Sequence, residues 1–211
     1  TTLFNQLTGA NQHVGNFPGV TVDRKDGEIR GQANTMITDL PGIYSMSPYS
    51  SEELVSRNFV LENNPRAIIN IVDTTNLSRS LFFTTQLLEL GVPVVIALNK
   101  SDLNDKKGNK IDVAALSAKL GCPVVQTTAT SSKGMKAVVE AAVAAVGKTQ
   151  TAPYHQGEID LTDKAAVEAE DRKRFAFVND IVKPVEIRKV LTRTRNAGDA
   201  IDTVLTNKWL G

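Results

Sequence analysis

Asn99-Lys100-Ser101-Asp102 follows directly on an apolar run from Val92 to Leu98. An ionised aspartate only accepts hydrogen bonds. Guanine offers it two donors side by side, the ring N–H and the exocyclic amine. Adenine offers a ring acceptor there and no amine, so the Asp102 carboxylate would face a lone pair. A site built to bond a group rejects the analogue lacking it by roughly 10⁴ or more. Lys100 can lay its aliphatic stem along a purine face. Asn99 can tie neighbouring loops together through its amide, and Ser101 completes the turn. The same four residues also fit a plain polar turn after a strand.

Other stretches supply what a nucleotide's phosphates need. Asp39-Leu40-Pro41-Gly42 follows a strand-like run, Ala33 to Thr38. Asp39 suits magnesium through a water, and the Gly42 N–H suits a terminal phosphate. His13 to Thr21 holds Gly15, Asn16, Pro18 and Gly19 and reads as a loop ending in Val20-Thr21. Thr21 can reach magnesium and the terminal phosphate when that loop closes. Thr1-Thr2 opens a helix-like segment with Leu3, Phe4 and Leu7 on one side and Gly9 as its C-cap. The pattern G-x-x-x-x-G-K-[ST] leads into such a helix, and its last hydroxyl binds magnesium. Thr1 is expected to be that residue, with Thr2 beside it and the strand, glycine loop and lysine upstream. A simple cap is the other reading of Thr1. In Thr127-Thr128-Ala129-Thr130, a backbone N–H, best that of Ala129, can reach the guanine carbonyl oxygen. Each signal is short, but their order and spacing together point to a guanine-nucleotide-binding domain.

The elements that must position these residues alternate. Gly27 to Gly31 and Ala33 to Thr38 read as a hairpin. Ser50 to Leu61 reads as a helix opened by a Ser50–Glu53 capping box. Ala67 to Val72 and Val92 to Leu98 read as strands buried on both faces. Between them, Leu77, Leu81, Thr84 and Leu88 mark a helix closed by Gly91. Asp112 caps a helix carrying Val113, Leu116 and Leu120. Pro123 to Gln126 is the last strand, and Met135, Val138, Val139, Ala142, Val143 and Val146 give a helical core stripe. Such alternation makes a mostly parallel sheet with helices on both faces, and ligands bind beyond the carboxyl ends of its strands. The fold expected is α/β, a P-loop NTPase of the TrmE-Era-like GTPase kind, followed by a small all-helical domain.

The domain boundaries expected are 1–148 for the nucleotide domain, 149–158 for a linker and 159–211 for the helical part. Residues Asp163 to Val182 carry Phe175, Val178, Ile181 and Val182 on one face and are expected to stop before Pro184. Helices are expected again over Val185 to Arg195 and Asp199 to Leu210, with no strand. The charge run Glu168 to Arg174 reads as a solvated face with i,i+4 pairs.

Composition narrows the class. The chain has 211 residues, 41% hydrophobic and 22% charged, and a net charge of +1, so no basic field points to nucleic acid. A lone cysteine, Cys122, excludes a disulfide framework and reads as a buried reduced thiol. With two histidines besides, a soft-metal site is not expected. No run reaches the roughly 18–20 apolar residues of a membrane span, and no signal peptide opens the chain.

The sequence resembles the cytosolic N-terminal region of FeoB, the ferrous-iron transporter of prokaryotes. The resemblance rests on Thr1-Thr2-Leu3-Phe4-Asn5, Val14 to Val22, Asp39-Leu40-Pro41-Gly42-Ile43-Tyr44-Ser45, Ile69 to Leu77 and the tail Asn207-Lys208-Trp209-Leu210-Gly211. It implies a GTPase with a helical spacer domain, joined to a polytopic membrane domain beginning shortly after Gly211 and lying on the cytoplasmic face of the inner membrane. Trp209 then suits an interfacial anchor or the core of the last helix. Many members carry Asn-Met-x-Asp where this chain has Asn99-Lys100-Ser101-Asp102, and Trp where it has Phe17. The implied ligands are GTP or GDP, Mg²⁺ and, in potassium-stimulated members, K⁺ bound partly by the carbonyls of Gly15 and Phe17. Implied partners are the chain's own membrane domain and small accessory Feo proteins, with a homo-oligomer as a further expectation.

Ras-like enzymes orient water with a Gln after D-x-x-G, and here that place is Ile43. Arg24 is a weak candidate for an arginine finger and fits a solvated loop charge better. The mechanism expected is slow hydrolysis, with water held by backbone groups of the Gly15–Thr21 loop. Thr21 and Gly42 are then the catalytic contacts, whose release after hydrolysis relaxes both loops. Two other readings remain: a guanine-nucleotide sensor that does not hydrolyse, and a GTPase acting on RNA, against which the neutral charge argues.

Overall fold

The computed structural model describes residues 1–11, 24–43, 58–157, 159–160 and 163–188. Its centre is a parallel sheet of three strands, β3 (Ile68–Asp73), β4 (Val94–Asn99) and β6 (Val124–Gln126), in the order β3-β4-β6. Val94, Val95, Ile96, Ala97 and Leu98 are all fully buried. A continuous β-branched and aliphatic run covered on both faces is what a central parallel strand requires. The register pairs Asp73 with Asn99 and Leu98 with Gln126. The carboxyl ends of the three strands therefore lie level, which matches the expected placement of the polar residues that follow them.

Helices cover the sheet. On one side α3 (Leu77–Leu88) and α5 (Val113–Leu120) bury Leu77, Leu81, Leu87, Leu116 and Leu120 with Val72, Ile96 and Leu98. On the other, α1 (Thr2–Thr8) and α6 (Met135–Ala145) bury Leu3, Leu7, Met135, Val138 and Val139 against Ala97. Burying each such side chain fully contributes about 1.5–3 kcal/mol. The caps follow the sequence. Gly9 closes α1 in the left-handed region, and Asp112 accepts from the Ala115 N–H at 2.9 Å to start α5. Cys122 is buried, and burial pushes its thiol up to about 12.

A hairpin of β1 (Lys25–Glu28) and β2 (Met36–Asp39) packs beside α1. Gly27 allows the approach: a Cβ there would lie 2.8 Å from Thr8 Cγ2 and 2.9 Å from Phe4 Cζ. The hairpin makes no ladder with β3. A cleft of about 770 Å³ separates β2 from β3, lined by Ile29, Ile37, Ile69, Ile71 and Val143 among others. Val143 is consequently 48% exposed, although the helical stripe places it in the core. It lies on the rim of this cleft. A short helix, α2, covers 58–63. The capping box of Ser50 and Glu53 lies outside the described residues.

The segment after α6 is packed, not loose. Gln150 acts as an extra peptide group, accepting from Val94 N–H at 2.7 Å and donating to Val94 O at 2.9 Å. Ala152 joins the core. The long helix α7 (Lys164–Val185) is capped by Asp163 and lays Val178, Ile181, Val182 and Val185 onto the same core as α3 and α5. It does not stop before Pro184 as expected. Pro184 sits in the last turn, where its missing N–H costs a single bond, to the Asp180 carbonyl. The helix expected from Val185 onward is replaced at its start by a strand, β7 (Glu186–Ile187), antiparallel to β5 (Lys110–Ile111). Asp112 N–H donates to Val185 O at 2.8 Å and holds the chain there. The later tail, including Trp209, lies outside the described residues.

The charge run is also not a uniformly solvated face. Glu170 and Arg174 are 5% and 1% exposed. Arg174 reaches Glu89, the C-cap of α3, at 2.7 Å, Thr85 Oγ1 at 3.2 Å and Gln156 Oε1 at 3.1 Å, and stacks over the Tyr154 ring at 4.6 Å. Tyr154 donates to Glu170 at 2.6 Å. Burial, with that carboxylate beside it, pushes the Tyr154 phenol up to about 12. Phe175 stacks on Phe82 with centroids 4.3 Å apart. The charges are buried because α7 must cross the polar end of α3, where Thr85 and Glu89 meet it.

Among the described residues, no helix is long and apolar enough to cross a membrane.

Candidate functional site

The polar residues expected to meet a base lie together where β4 and β6 end. Asn99 Oδ1 accepts from the Ala129 N–H at 3.0 Å and lies 3.5 Å from Thr127 Oγ1. The asparagine thus ties the two loops, as its position after β4 suggested. Ser101 Oγ lies 2.9 Å from Leu98 O and 3.0 Å from Thr127 O, and its N–H donates to Thr127 O at 3.3 Å. Ser101 is 3% exposed. Its part is to lock the loop from within.

Ala129 differs from expectation. Its N–H is given to Asn99, so a guanine carbonyl oxygen reaching it must exchange that bond. Thr128 offers another group. Its Oγ1 is buried with no hydrogen-bond partner among the described residues. A buried hydroxyl left unpaired costs about 1–3 kcal/mol, so a ligand or a nearby carboxylate reaching it recovers that cost. Thr130 follows in the 3-10 turn Ala129–Ser131.

Asp102 stands in the first turn of α4 (Ser101–Lys106) with its side chain 40% exposed and Lys106 Nζ at 4.0 Å. That separation makes a weak surface pair, and the carboxylate is open to a base. Lys100 precedes it with φ 63 and ψ 30, a left-handed conformation. A side chain there costs about 1–3 kcal/mol unless neighbours hold it. They do. Thr74 Oγ1 donates to Lys100 O at 3.0 Å, and Asp73 Oδ2 takes Lys100 Nζ at 2.6 Å. By local sequence alone, Asp73-Thr74-Thr75-Asn76 is a polar turn between a strand and a helix. Nothing in their local pattern shows that they grip a residue 26 and 27 positions later.

The loop after β6 is closed by Gly134 at φ +79, where a Cβ would lie 2.1 Å from the Gln126 carbonyl oxygen. Both groups are backbone, so neither can give way cheaply. Gly134→Ala is expected to destabilise the chain by about 2 kcal/mol or more, from left-handed strain and the clash together. Chemical denaturation checks this; a change under about 0.5 kcal/mol would show that the loop is not fixed by Gly134.

The phosphate side is partly described. Thr1 and Asp39, the two residues expected at magnesium, lie close together, the terminal ammonium of this sequence standing 3.3 Å from Asp39 Oδ2. Leu40, Pro41, Gly42 and Ile43 line the cleft beyond β2. On the same helix, Gln6 Oε1 accepts from Ser132 Oγ. Helix α1 thereby joins the phosphate side to the loop after β6. Arg24 is half exposed, pairs with Asp26 at 3.3 Å and lies over Phe59 at 5.3 Å, which fits the solvated loop charge expected. Gly15, Phe17, Gly19, Val20 and Thr21 lie outside the described residues. No group of three histidine, cysteine or acidic residues able to hold a metal occurs among the described residues.

The profile of the family described as Ferrous iron transport protein B matches residues 1–142. The chain belongs to the ferrous iron transport protein B family. A Fe(2+) transport protein A/Fe(2+) transporter FeoB fusion protein of Porphyromonas gingivalis is 50% identical over 137 residues, 64% of this chain and 16% of that protein. The Fe(2+) transporter FeoB of Salmonella typhimurium is 47% identical over 143 residues, 65% of this chain and 18% of its own length. The chain thus spans less than a fifth of the curated relatives it matches. Among solved structures, S. thermophilus NFeoB bound to mGMPPNP superposes with a TM-score of 0.74 at 34% identity, covering 90% of this chain and 94% of that one. S. thermophilus NFeoB bound to GDP.AlF4⁻ and K⁺ gives 0.68 at 40% identity, covering 87% and 84%. The cytosolic domain of L. pneumophila FeoB gives 0.73 at 32% identity, covering 88% and 94%. This FeoB-family chain therefore has the GTPase fold of those G domains, with the parallel sheet and flanking helices expected.

Proposed function

We propose that this chain binds guanine nucleotides and hydrolyses GTP slowly, as the cytoplasmic-face part of a prokaryotic ferrous-iron transporter. The observation that carries the reading is the tie between Asn99 and the Ala129 N–H at the strand ends, with Lys100 and Asp102 following directly after β4. An acceptor-only carboxylate with its side chain 40% exposed suits guanine's two adjacent donors, and the Thr128 hydroxyl, buried without a partner among the described residues, is a further group a ligand can satisfy. On the phosphate side, Thr1 carries a hydroxyl and Asp39 a carboxylate on residues that lie close together, hard-oxygen donors of the kind that suits Mg²⁺. When bound, the ion supplies charge neutralisation of the phosphates. Thr2 adjoins this point, and Leu40 and Pro41 carry the turn that presents the Gly42 N–H.

We assign water positioning to backbone groups of the Gly15–Thr21 loop, with Gly19 and Val20 presenting Thr21, since Ile43 cannot orient water. K⁺ held in part by the carbonyls of Gly15 and Phe17 takes the place of an arginine finger. Release of the Thr21 and Gly42 contacts after hydrolysis signals to the protein's own membrane domain and gates Fe²⁺ passage. Residues 1–148 form the G domain, 149–158 the link and 159–211 the helical spacer. Small accessory Feo proteins and further copies of the chain are the other partners, and nucleic acid is not one.

The test is GTP turnover by the full-length protein in potassium against sodium chloride at equal ionic strength. Stimulation of about tenfold or more is expected, a modest part of the 10³–10⁵ that a charge-stabilising finger contributes. Equal slow rates in both salts remove the cation role. No turnover at all, with GTP still bound, favours the sensor reading that Ile43 keeps open.

A further inference from the structure

We propose that Asp73, together with Thr74, is a positioning residue of the purine site, acting through Lys100. The proposal rests on the guanine reading above and names what holds that site in shape. Lys100 is gripped at both ends. Its carbonyl oxygen accepts from Thr74 Oγ1 at 3.0 Å as well as from the Leu103 and Asn104 N–H groups at 3.1 and 3.3 Å. Its ammonium lies 2.6 Å from Asp73 Oδ2. The lysine stem therefore runs back from the end of β4 toward the end of β3, across the carboxyl edge of the sheet. A four-carbon stem fixed at head and root is a flat apolar floor for a purine, and half of its surface remains open, at 49% exposure.

The grip is firm because Asp73 is itself fixed. Its Oδ1 accepts from Thr75 N–H at 2.8 Å and Thr75 Oγ1 at 2.7 Å, and its own N–H donates to Ser80 Oγ at 3.3 Å. Thr74 is 2% exposed. Burial raises the Asp73 pKa, but the Lys100 and Thr75 hydrogen bonds outweigh it and leave the carboxyl below its ordinary range. The carboxylate stays ionised at neutral pH. The consequence reaches beyond the lysine. Lys100 must hold its left-handed turn for Asn99 to face the Ala129 loop while Asp102 faces the base. The turn after β3 thus sets the angle between two residues of the base site without touching the base.

An exposed ion pair of no consequence is the competing account, since most contribute little. A mutant cycle on the full-length protein separates the two, with fluorescent GDP as the probe and Asp102→Asn as the reference. Asp73→Asn is expected to weaken GDP binding about tenfold, the effect of one charge-assisted hydrogen bond, through faster release. Lys100→Ala, which removes both the stem and the ammonium, is expected to weaken it as much or more. Adding Asp73→Asn to Lys100→Ala should then change GDP affinity less than twofold, because the aspartate acts only through the lysine. Thr74→Val, close in volume, should weaken binding about threefold and keeps the question open to measurement if Asp73→Asn folds poorly. Unchanged release in both Asp73→Asn and Thr74→Val, or fully multiplicative effects in the double variant, would overturn the proposal while Asp102→Asn still reports the base site. If Asp102→Asn leaves guanine preference untouched, the guanine reading itself fails and this inference falls with it.

Discussion

Asp102→Asn lowers the affinity of the full-length protein for GTP and GDP by about 10²–10⁴-fold and leaves the weak affinity for ATP within a few-fold. The carboxylate is expected to accept from two guanine donors, each bond to a charged group contributing about 1.5–3 kcal/mol. An amide in its place offers a donor where the base also has donors. One bond keeps only a neutral acceptor, and the other is replaced by a donor facing a donor. Fold stability should change little, because Asp102 is 40% exposed and its one ion pair, to Lys106, spans 4.0 Å. Competition of GTP and ATP against labelled GDP measures the effect. Equal losses for both nucleotides would show that Asp102 does not face the base.

The second large effect is on stability, at Arg174. Arg174→Met is expected to destabilise the fold by about 3–5 kcal/mol, the range found when one partner of a buried pair is removed. Arg174 is 1% exposed and Glu89 19% exposed in their side chains, so solvent reaches Glu89 enough to favour the lower end. Thr85 and Gln156 also lose a donor. Arg174→Lys should not restore stability, since a point charge cannot serve three acceptors in a plane and stack on Tyr154. The double variant Arg174→Met with Glu89→Met should recover much of the loss, because it removes the buried charge along with its partner. Urea unfolding followed by far-UV dichroism reads all three. An Arg174→Met change below about 1 kcal/mol would mean that α7 is held by its apolar face alone.

How much of this was legible in the sequence depends on whether the cause was local. The strand β4 was readable because a continuous aliphatic run after Pro93 has few other homes, and β6 follows Pro123 in the same way. β3 is a strand as expected but not buried on both faces, since Ile71 faces the β2–β3 cleft and is 46% exposed. Asp112 and Gly9 announced helix ends through their own chemistry. Asn99 was readable as a tie between loops because an amide placed directly after a buried strand reaches the loop that follows the neighbouring strand. The grip of Asp73 and Thr74 on Lys100 was not, since it depends on the register that sets Asp73 beside Asn99. Arg174 looked like one charge in a solvated run. Only the crossing of α7 over Thr85 and Glu89 buries it. Pro184 looked like a stop, yet in a final turn it removes one bond and the helix carries through it. The Ala129 N–H looked available because nothing in Thr127–Thr130 tells that Asn99 takes it.

The central claim is that the strand-end cluster is a guanine site. The most direct measurement is displacement of fluorescent GDP from the full-length protein by GTP and by ATP, in Mg²⁺ at moderate salt. The account predicts displacement by GTP at a concentration at least about 10³-fold lower than by ATP, in line with a carboxylate that only guanine can satisfy. Displacement by both at similar concentrations would contradict it.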